Sequence, residues 1–122
     1  MWTKSLDDGD TPLRTAAHMG LLAIVKYLVE QGADKNKTDN NGHTPLRAAA
    51  SEGHLAVVKY LVQQGADVDK VQKENGNTAL FTAAFEGYLE IVQCLVEHGA
   101  DKNKTTRVFR HFLLLRVAVT WQ

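Results

Sequence analysis

The sequence repeats itself with a period of about 33 residues. Thr11, Thr44 and Thr78 begin the related segments TPLRTAA, TPLRAAA and TALFTAA, and the triplet GAD recurs once in each unit. A period of this length is typical of solenoid proteins, in which one unit cannot bury its apolar face alone and must be covered by its neighbours. The chain is therefore expected to fold as a stack of three similar units.

Within each unit the sequence predicts two helices joined by a tight turn. In the first unit Thr11 is a good N-cap, and Pro12 fits the first helical position, where a backbone N–H would have no partner. Gly20 favours the left-handed backbone that ends a helix. The second helix, LLAIVKYLVEQ, repeats apolar residues at helical spacing. We predict an all-α solenoid of helix–turn–helix units with polar, hairpin-like loops between them.

The pattern TPL…AA…G…GAD, in phase three times, resembles ankyrin repeats, which have this period and a T-P-L-H signature. The resemblance implies an ankyrin-type solenoid over residues 1–105. The predicted repeats are about 8–40, 41–74 and 75–105, followed by an irregular C-terminal tail, 106–122.

The chain departs from the family signature at its histidine. Arg14, Arg47 and Phe81 stand at that position. The family's histidine ties adjacent loops by hydrogen bonds, so we expect weaker ties between the loops of this chain. His54 stands where the family often has a structural histidine.

Composition argues against some function classes. The chain has 14 Lys and Arg against 14 Asp and Glu, so no net field attracts nucleic acid or an anionic membrane. The most apolar stretch, VFRHFLLLRVAV, is too short and too charged to span a bilayer. A single cysteine, Cys94, forms no intramolecular disulfide and favours an intracellular setting. We expect a cytoplasmic monomer, with the nucleus left open as a location.

No residue pattern in the chain indicates catalysis. The five histidines have no cysteine or carboxylate at the spacing of metal ligands. Cys94 aligns with Tyr27 and Tyr60 of the other units, which favours a packed thiol over a nucleophile. The glycines end helices and do not form a phosphate-binding loop. We expect no enzyme activity, no cofactor and no metal site.

The ankyrin resemblance implies protein–protein binding through a concave face made of loop tips and first helices. If this face binds a partner, Met19 and Phe85 are its apolar anchors. The alternative is that they are single exposed apolar side chains, which are common on protein surfaces and need no role. The positions that the resemblance assigns to the face are Asp7, Asp8, Asp10, His18, Met19, Asn40, Asn41, His43, Ser51, Glu52, Glu74, Asn75, Asn77, Phe85 and Glu86.

The tail lacks the residues that should follow the third repeat. Residues 32–38 and 99–105 are both GADKNKT, but only the first copy leads into a further TPL segment. Codons for Thr105–Gln122, read one base earlier, permit DTGVSPLxxAAxxGHLA, whose last four letters match residues 53–56. We hypothesise that the tail is a frameshifted fourth repeat, which the nucleotide sequence would test. Two alternatives to a binding module remain: a truncated interaction segment of a larger multidomain protein, or a frameshifted product without independent function.

Overall fold

The part of the chain that the structure describes contains six helices, which are arranged in three pairs. The computed structural model describes residues 10–70 and 78–99. Its helices are α1 Pro12–Met19, α2 Leu22–Glu30, α3 Pro45–Glu52, α4 Leu55–Gln63, α5 Ala79–Glu86 and α6 Leu89–Glu97. No strand occurs in these two ranges, and the predicted all-α organisation in helix pairs is confirmed. We call the pairs repeat 1, repeat 2 and repeat 3. The tail, 106–122, and the boundary at residue 105 lie outside the described residues and stay predictions.

A threonine caps each first helix. The hydroxyl oxygens of Thr11, Thr44 and Thr78 accept the backbone N–H three residues further on, at 3.1 to 3.2 Å. Each bond satisfies one of the N–H groups that have no partner inside the helix. Helix α5 keeps this cap although Ala79 replaces the proline found at the same position of the other two repeats. The helix starts predicted from the sequence are therefore confirmed in all three repeats.

The helices form two rows. Helix α3 contacts both α1 and α5, and helix α4 contacts both α2 and α6, so the main helix–helix contacts between repeats join like elements. The first helices approach through fully buried alanines, including Ala17, Ala49 and Ala83. The second helices contribute larger buried side chains such as Leu61 and Leu95. One core runs from repeat 1 to repeat 3 as a result.

An aromatic ring from one repeat lies over the helix-ending glycine of the repeat before it. The His54 ring covers Gly20, and the Tyr88 ring covers Gly53. A Cβ at Gly20 would lie 2.6 Å from the His54 ring, so a side chain there has no room. His54 Nε2 also lies 3.0 Å from the carbonyl oxygen of His18, to which it donates. This contact fixes the spacing of repeats 1 and 2 and gives His54 the structural role expected from the sequence.

The loops between repeats are also joined to each other. The side-chain oxygen of Asn36 accepts the backbone N–H of Asp67 at 2.8 Å. Asn36 itself is held by a turn in which its N–H donates to Asp34 at 2.9 Å. The register of repeats 1 and 2 is thus set at the loops as well as in the helices.

Substitution of Gly53 should separate the effect of ring packing from that of backbone strain. Gly53 has φ +78° and a Cβ there would lie 2.9 Å from the Tyr88 ring, whereas Gly65 has φ +89° and open space around it. We expect Gly65→Ala to lower the free energy of unfolding by about 1–2 kcal/mol, through positive φ alone. Gly53→Ala should cost about 1–3 kcal/mol more, because the ring must move. Urea denaturation of both variants measures the difference, and equal losses would contradict the packing argument.

Candidate interaction face

The last turns of the first helices present equivalent residues in every repeat. The pairs are His18 and Met19 on α1, Ser51 and Glu52 on α3, and Phe85 and Glu86 on α5. Because α1, α3 and α5 lie side by side, these pairs form a continuous surface, which we call the first-helix face. The exposed fractions of Met19 and Phe85 are 60% and 53%, and the exposure expected for both is confirmed.

Polar contacts hold the middle of the first-helix face. His18 Nε2 lies 3.5 Å from Glu52 Oε1, which places a repeat 1 side chain beside a repeat 2 side chain. Ser51 Oγ donates to the carbonyl oxygen of Ala48 at 2.9 Å, so its hydroxyl is directed back to its own helix. Glu86 is exposed at the equivalent position of repeat 3. The face therefore carries two carboxylates, Glu52 and Glu86, beside the two apolar side chains Met19 and Phe85.

At the repeat 3 end of the first-helix face, Phe85 packs against Phe81 of the same helix. The rings of Phe81 and Phe85 stack with centroids 6.1 Å apart and an angle of 19° between their planes. Phe81 is half-buried and packs against the core, whereas Phe85 is exposed. A ring braced in this way loses little conformational entropy when it binds, which suits a side chain that anchors a partner.

The loop before α3 is organised by Asp39, a residue that we did not predict as part of the site. Its buried Oδ1 accepts the backbone N–H groups of Asn41 and His43, both at 2.9 Å. Its Oδ2 lies 3.4 Å from His43 Nδ1 and 3.9 Å from Arg14 Nε. Asn40 and Asn41 are exposed at the tip that results. An aspartate ahead of the turn sequence NNG was the sequence signal for this role.

Asp10 precedes α1, and its side chain contacts residues of its own repeat. Its carboxylate forms a bidentate ion pair with Arg14, in which Nη2 lies 2.9 Å from Oδ2. It also accepts the backbone N–H of Thr11 at 2.9 Å and the hydroxyl of Thr15 at 3.1 Å. The side chain is almost fully buried in these contacts. Its assignment to partner binding stays a prediction, and the structure gives it the role of ordering the start of α1.

The remaining predicted face residues lie outside the described part of the chain. They are Asp7, Asp8, Glu74, Asn75 and Asn77. The structure thus brings together the first-helix residues of all three repeats and the loop tip of repeat 2. The assignment of the whole set to partner binding stays a prediction.

A comparison with protein families now identifies the architecture. The family model described as "Ankyrin repeats (3 copies)" matches residues 2–72 and, in a second overlapping match, residues 37–106. The chain belongs to the ankyrin repeat family. The resemblance noted in the repeat pattern is thereby confirmed over residues 2–106. No curated protein matches the chain.

Arginine takes over the histidine position of the ankyrin signature at the first loop contact. Arg14 approaches Asp39 of the following loop as well as Asp10 of its own, so the weaker tie expected between these loops is replaced by an ion pair. Arg47, one repeat further, has a buried Nε without a hydrogen-bond partner among the described residues. Burial lowers the pKa of Arg47, the charge of Asp39 opposes this change, and Arg14 adds to it.

Cys94 lies in this ankyrin domain at the contact between α4 and α6. Burial raises the pKa of its thiol, which disfavours the thiolate that a nucleophile requires. It borders an open cavity of about 450 Å³ between the two helices, which is also lined by Lys59, Glu90 and His98. His98 Nδ1 donates to the Cys94 carbonyl oxygen at 2.8 Å.

Within residues 10–70 and 78–99, no group of three or more His, Cys, Asp or Glu side chains is placed to hold a metal ion. No helix in these ranges has the length and apolar character needed to cross a membrane.

Removal of the Asp39 carboxylate should destabilise the ankyrin domain more than loss of an exposed turn. Asp39→Ala leaves the N–H groups of Asn41 and His43 without their acceptor and removes a buried carboxylate 3.9 Å from Arg14 Nε, so we expect the free energy of unfolding to fall by about 2–4 kcal/mol. Asp34→Ala removes a similar turn bond at an exposed site and should cost about 0.5–1 kcal/mol. Asp39→Asn keeps one acceptor oxygen, so its loss in the free energy of unfolding should lie between those of Asp39→Ala and Asp34→Ala. Denaturant titration measures all three, and a small loss in Asp39→Ala would contradict the role of this side chain.

Asp10 should make stability depend on pH in acid. Burial opposes its ionisation, but the hydrogen bonds from Arg14 and the Thr11 N–H and the charge of Arg14 outweigh burial, and the pKa lies below its ordinary value of 3.8. A lowered pKa in the folded state contributes stability above the ordinary value, and that stability is lost as the pH falls through the lowered value. The unfolding temperature of Asp10→Asn should therefore lie below that of the parent at pH 7, and the difference should shrink below pH 3.8. Thermal unfolding at both pH values measures this, and a constant difference would contradict it.

Proposed function

We propose that the first-helix face of this ankyrin domain binds a protein partner, together with the loop tip at Asn40 and Asn41. Ankyrin repeat domains are in general protein-interaction modules, and the specific face is our assignment. The observation that supports it most directly is the pair of large apolar side chains, Met19 and Phe85, exposed at equivalent ends of α1 and α5. Exposed apolar and aromatic side chains on a rigid surface are the usual anchors of protein complexes.

The chemistry of the face favours a partner with both apolar and basic groups. Glu52 and Glu86 lie between or beside the two apolar anchors, and both are exposed. Acidic side chains at the rim of an interface steer association and select partners by charge more than they add affinity. A folded protein or peptide that carries a basic side chain near an apolar one would match this arrangement.

Capture experiments with matched variants test the face. Leu89 is the matched control, because it is an apolar residue as exposed as Phe85 but lies on a second helix, outside the first-helix face. The full chain, expressed in its source cells, should retain its partner when Leu89 is changed to alanine. Phe85→Ala should weaken binding about 10-fold or more, as expected for an anchor residue, and Met19→Ala should also weaken it. Circular dichroism of each variant confirms that its helices are intact.

The outcomes separate this proposal from its alternatives. Equal binding by Phe85→Ala and Leu89→Ala would contradict the assignment of the face. Failure to detect a native protein that ends at Gln122 would instead favour a product without independent function. A longer native protein that contains these repeats would favour the interpretation as an interaction segment of a larger protein, with the same face available for binding.

A further inference from the structure

The cavity between α4 and α6 lies at a position where the two junctions of the stack differ in sequence. We call it the α4–α6 cavity. The second helices align as LAIVKYLVE, LAVVKYLVQ and LEIVQCLVE. Cys94 of α6 therefore stands at the position of Tyr60 in α4, and Lys59 of α4 stands at the position of Lys26 in α2. The junction of repeats 1 and 2 shows this position with a ring, and the junction of repeats 2 and 3 shows it without one.

A tyrosine ring occupies the junction of repeats 1 and 2. Tyr60 is half-buried against the core, and Lys26 Nζ lies 5.8 Å from the centre of its ring. An ammonium group at this distance from an aromatic face is attracted by it. One junction further on, Lys59 lines the α4–α6 cavity together with Cys94, and no Phe, Tyr or Trp among the described residues lines it. The lysine is thus repeated, but the ring beside it is replaced by open space.

The α4–α6 cavity has room for such a ring. Its volume is about 450 Å³. An apolar cavity of about 150 Å³ holds a benzene molecule, and ligand sites in proteins span about 300–1,000 Å³. Leu55 and Lys59 lie one turn apart on the α4 wall, where they supply an apolar contact and a cation. These are the two kinds of group that an aromatic ring prefers as neighbours.

The acidic side chains of α6 add a preference for a positively charged group beside the ring. Glu90 and Glu97 lie two turns apart on one side of α6, and both line the cavity. The equivalent residues of α4 are the uncharged Ala56 and Gln63. Two carboxylates against the one ammonium group of Lys59 favour a cationic ligand over an anionic one. Loss of the ring and gain of the two carboxylates therefore occur together at this junction.

We propose that the α4–α6 cavity binds a tyrosine side chain of a partner protein, next to which the partner carries a basic residue. The ring lies beside the ammonium group of Lys59, as the Tyr60 ring lies beside that of Lys26. The basic side chain lies near the carboxylates of α6. The cavity is on the row of second helices and the first-helix face is on the other row, so this inference does not depend on the function proposed for that face.

Peptide titrations of the full chain test the site. The tyrosine peptide, acetyl-Arg-Tyr-Arg-amide, should shift the backbone NMR signals of α4 and α6 more than those of α1. The alanine peptide, acetyl-Arg-Ala-Arg-amide, should bind at least about 10-fold more weakly, because it lacks the anchoring ring. The acidic peptide, acetyl-Glu-Tyr-Glu-amide, should also bind more weakly than the tyrosine peptide, because the carboxylates of α6 repel it.

Matched lysine variants test the contact with the ring. Lys59→Met should reduce the preference for the tyrosine peptide over the alanine peptide by about 2- to 5-fold, since it removes the cation beside the ring. Comparison of the two peptides cancels the effect of this charge on their arginines. Lys26→Met is the control and should leave the preference unchanged, because Tyr60 already occupies its junction. Cys94→Tyr supplies the ring from the chain itself and should abolish the preference while the helices, measured by circular dichroism, stay intact.

Four results would overturn the proposal. Equal binding of the tyrosine and alanine peptides would show that charge alone attracts them. A Cys94→Tyr variant that keeps the preference or fails to fold would show that the cavity is not the site of a ring. Equal effects of Lys59→Met and Lys26→Met would exclude the contact with Lys59. A gain in affinity when Phe109→Ala and Phe112→Ala are combined in the full chain would show that the chain's own aromatic side chains compete for the cavity.

Discussion

The contact between successive repeats is the interaction on which the rest of this structure depends. A pair of helices eight and nine residues long cannot bury its own apolar side chains, and isolated helices of that length are unstable in water. Leu61 and Leu95 are 0% exposed, whereas Leu28 at the same position of repeat 1 is only partly buried. The thin, alanine-lined first helices and the bulkier second helices are therefore parts of one packing arrangement that is used at each junction.

The placement of the candidate binding residues follows from that contact. Since equivalent helices lie side by side, residues at the same or adjacent helical positions become neighbours across the stack, and His18 comes within 3.5 Å of Glu52 although they belong to different repeats. The same translation places the Asn36 side chain at the backbone of Asp67. A surface built in this way is rigid because its supports are core residues, and its chemistry can vary because the exposed positions have no part in the packing.

The repeated features of the fold could be predicted from the sequence, whereas the contacts unique to one junction could not. Thr11 and Gly20 act through the backbone of their own helix, so local rules were enough to assign them. The exposure of Met19 and Phe85 followed from their position in the repeat. The local turn at Asp39 had a sequence signal in the following NNG, but its contact with Arg14, 25 positions earlier in the chain, had none. Pairings of this kind need the distance between side chains, which periodicity does not supply.

The position of Cys94 gives the protein a probe of its own. It is the one cysteine of the chain, and its side chain is 5% exposed at the cavity where α4 meets α6. A thiol that is 5% exposed and has a raised pKa reacts slowly while α4 and α6 stay packed and faster when they separate, so a rise in the rate of modification reports on separation of repeat 3 from repeat 2. Partial detachment of the stack could thus be followed in the unmodified sequence, without an added label.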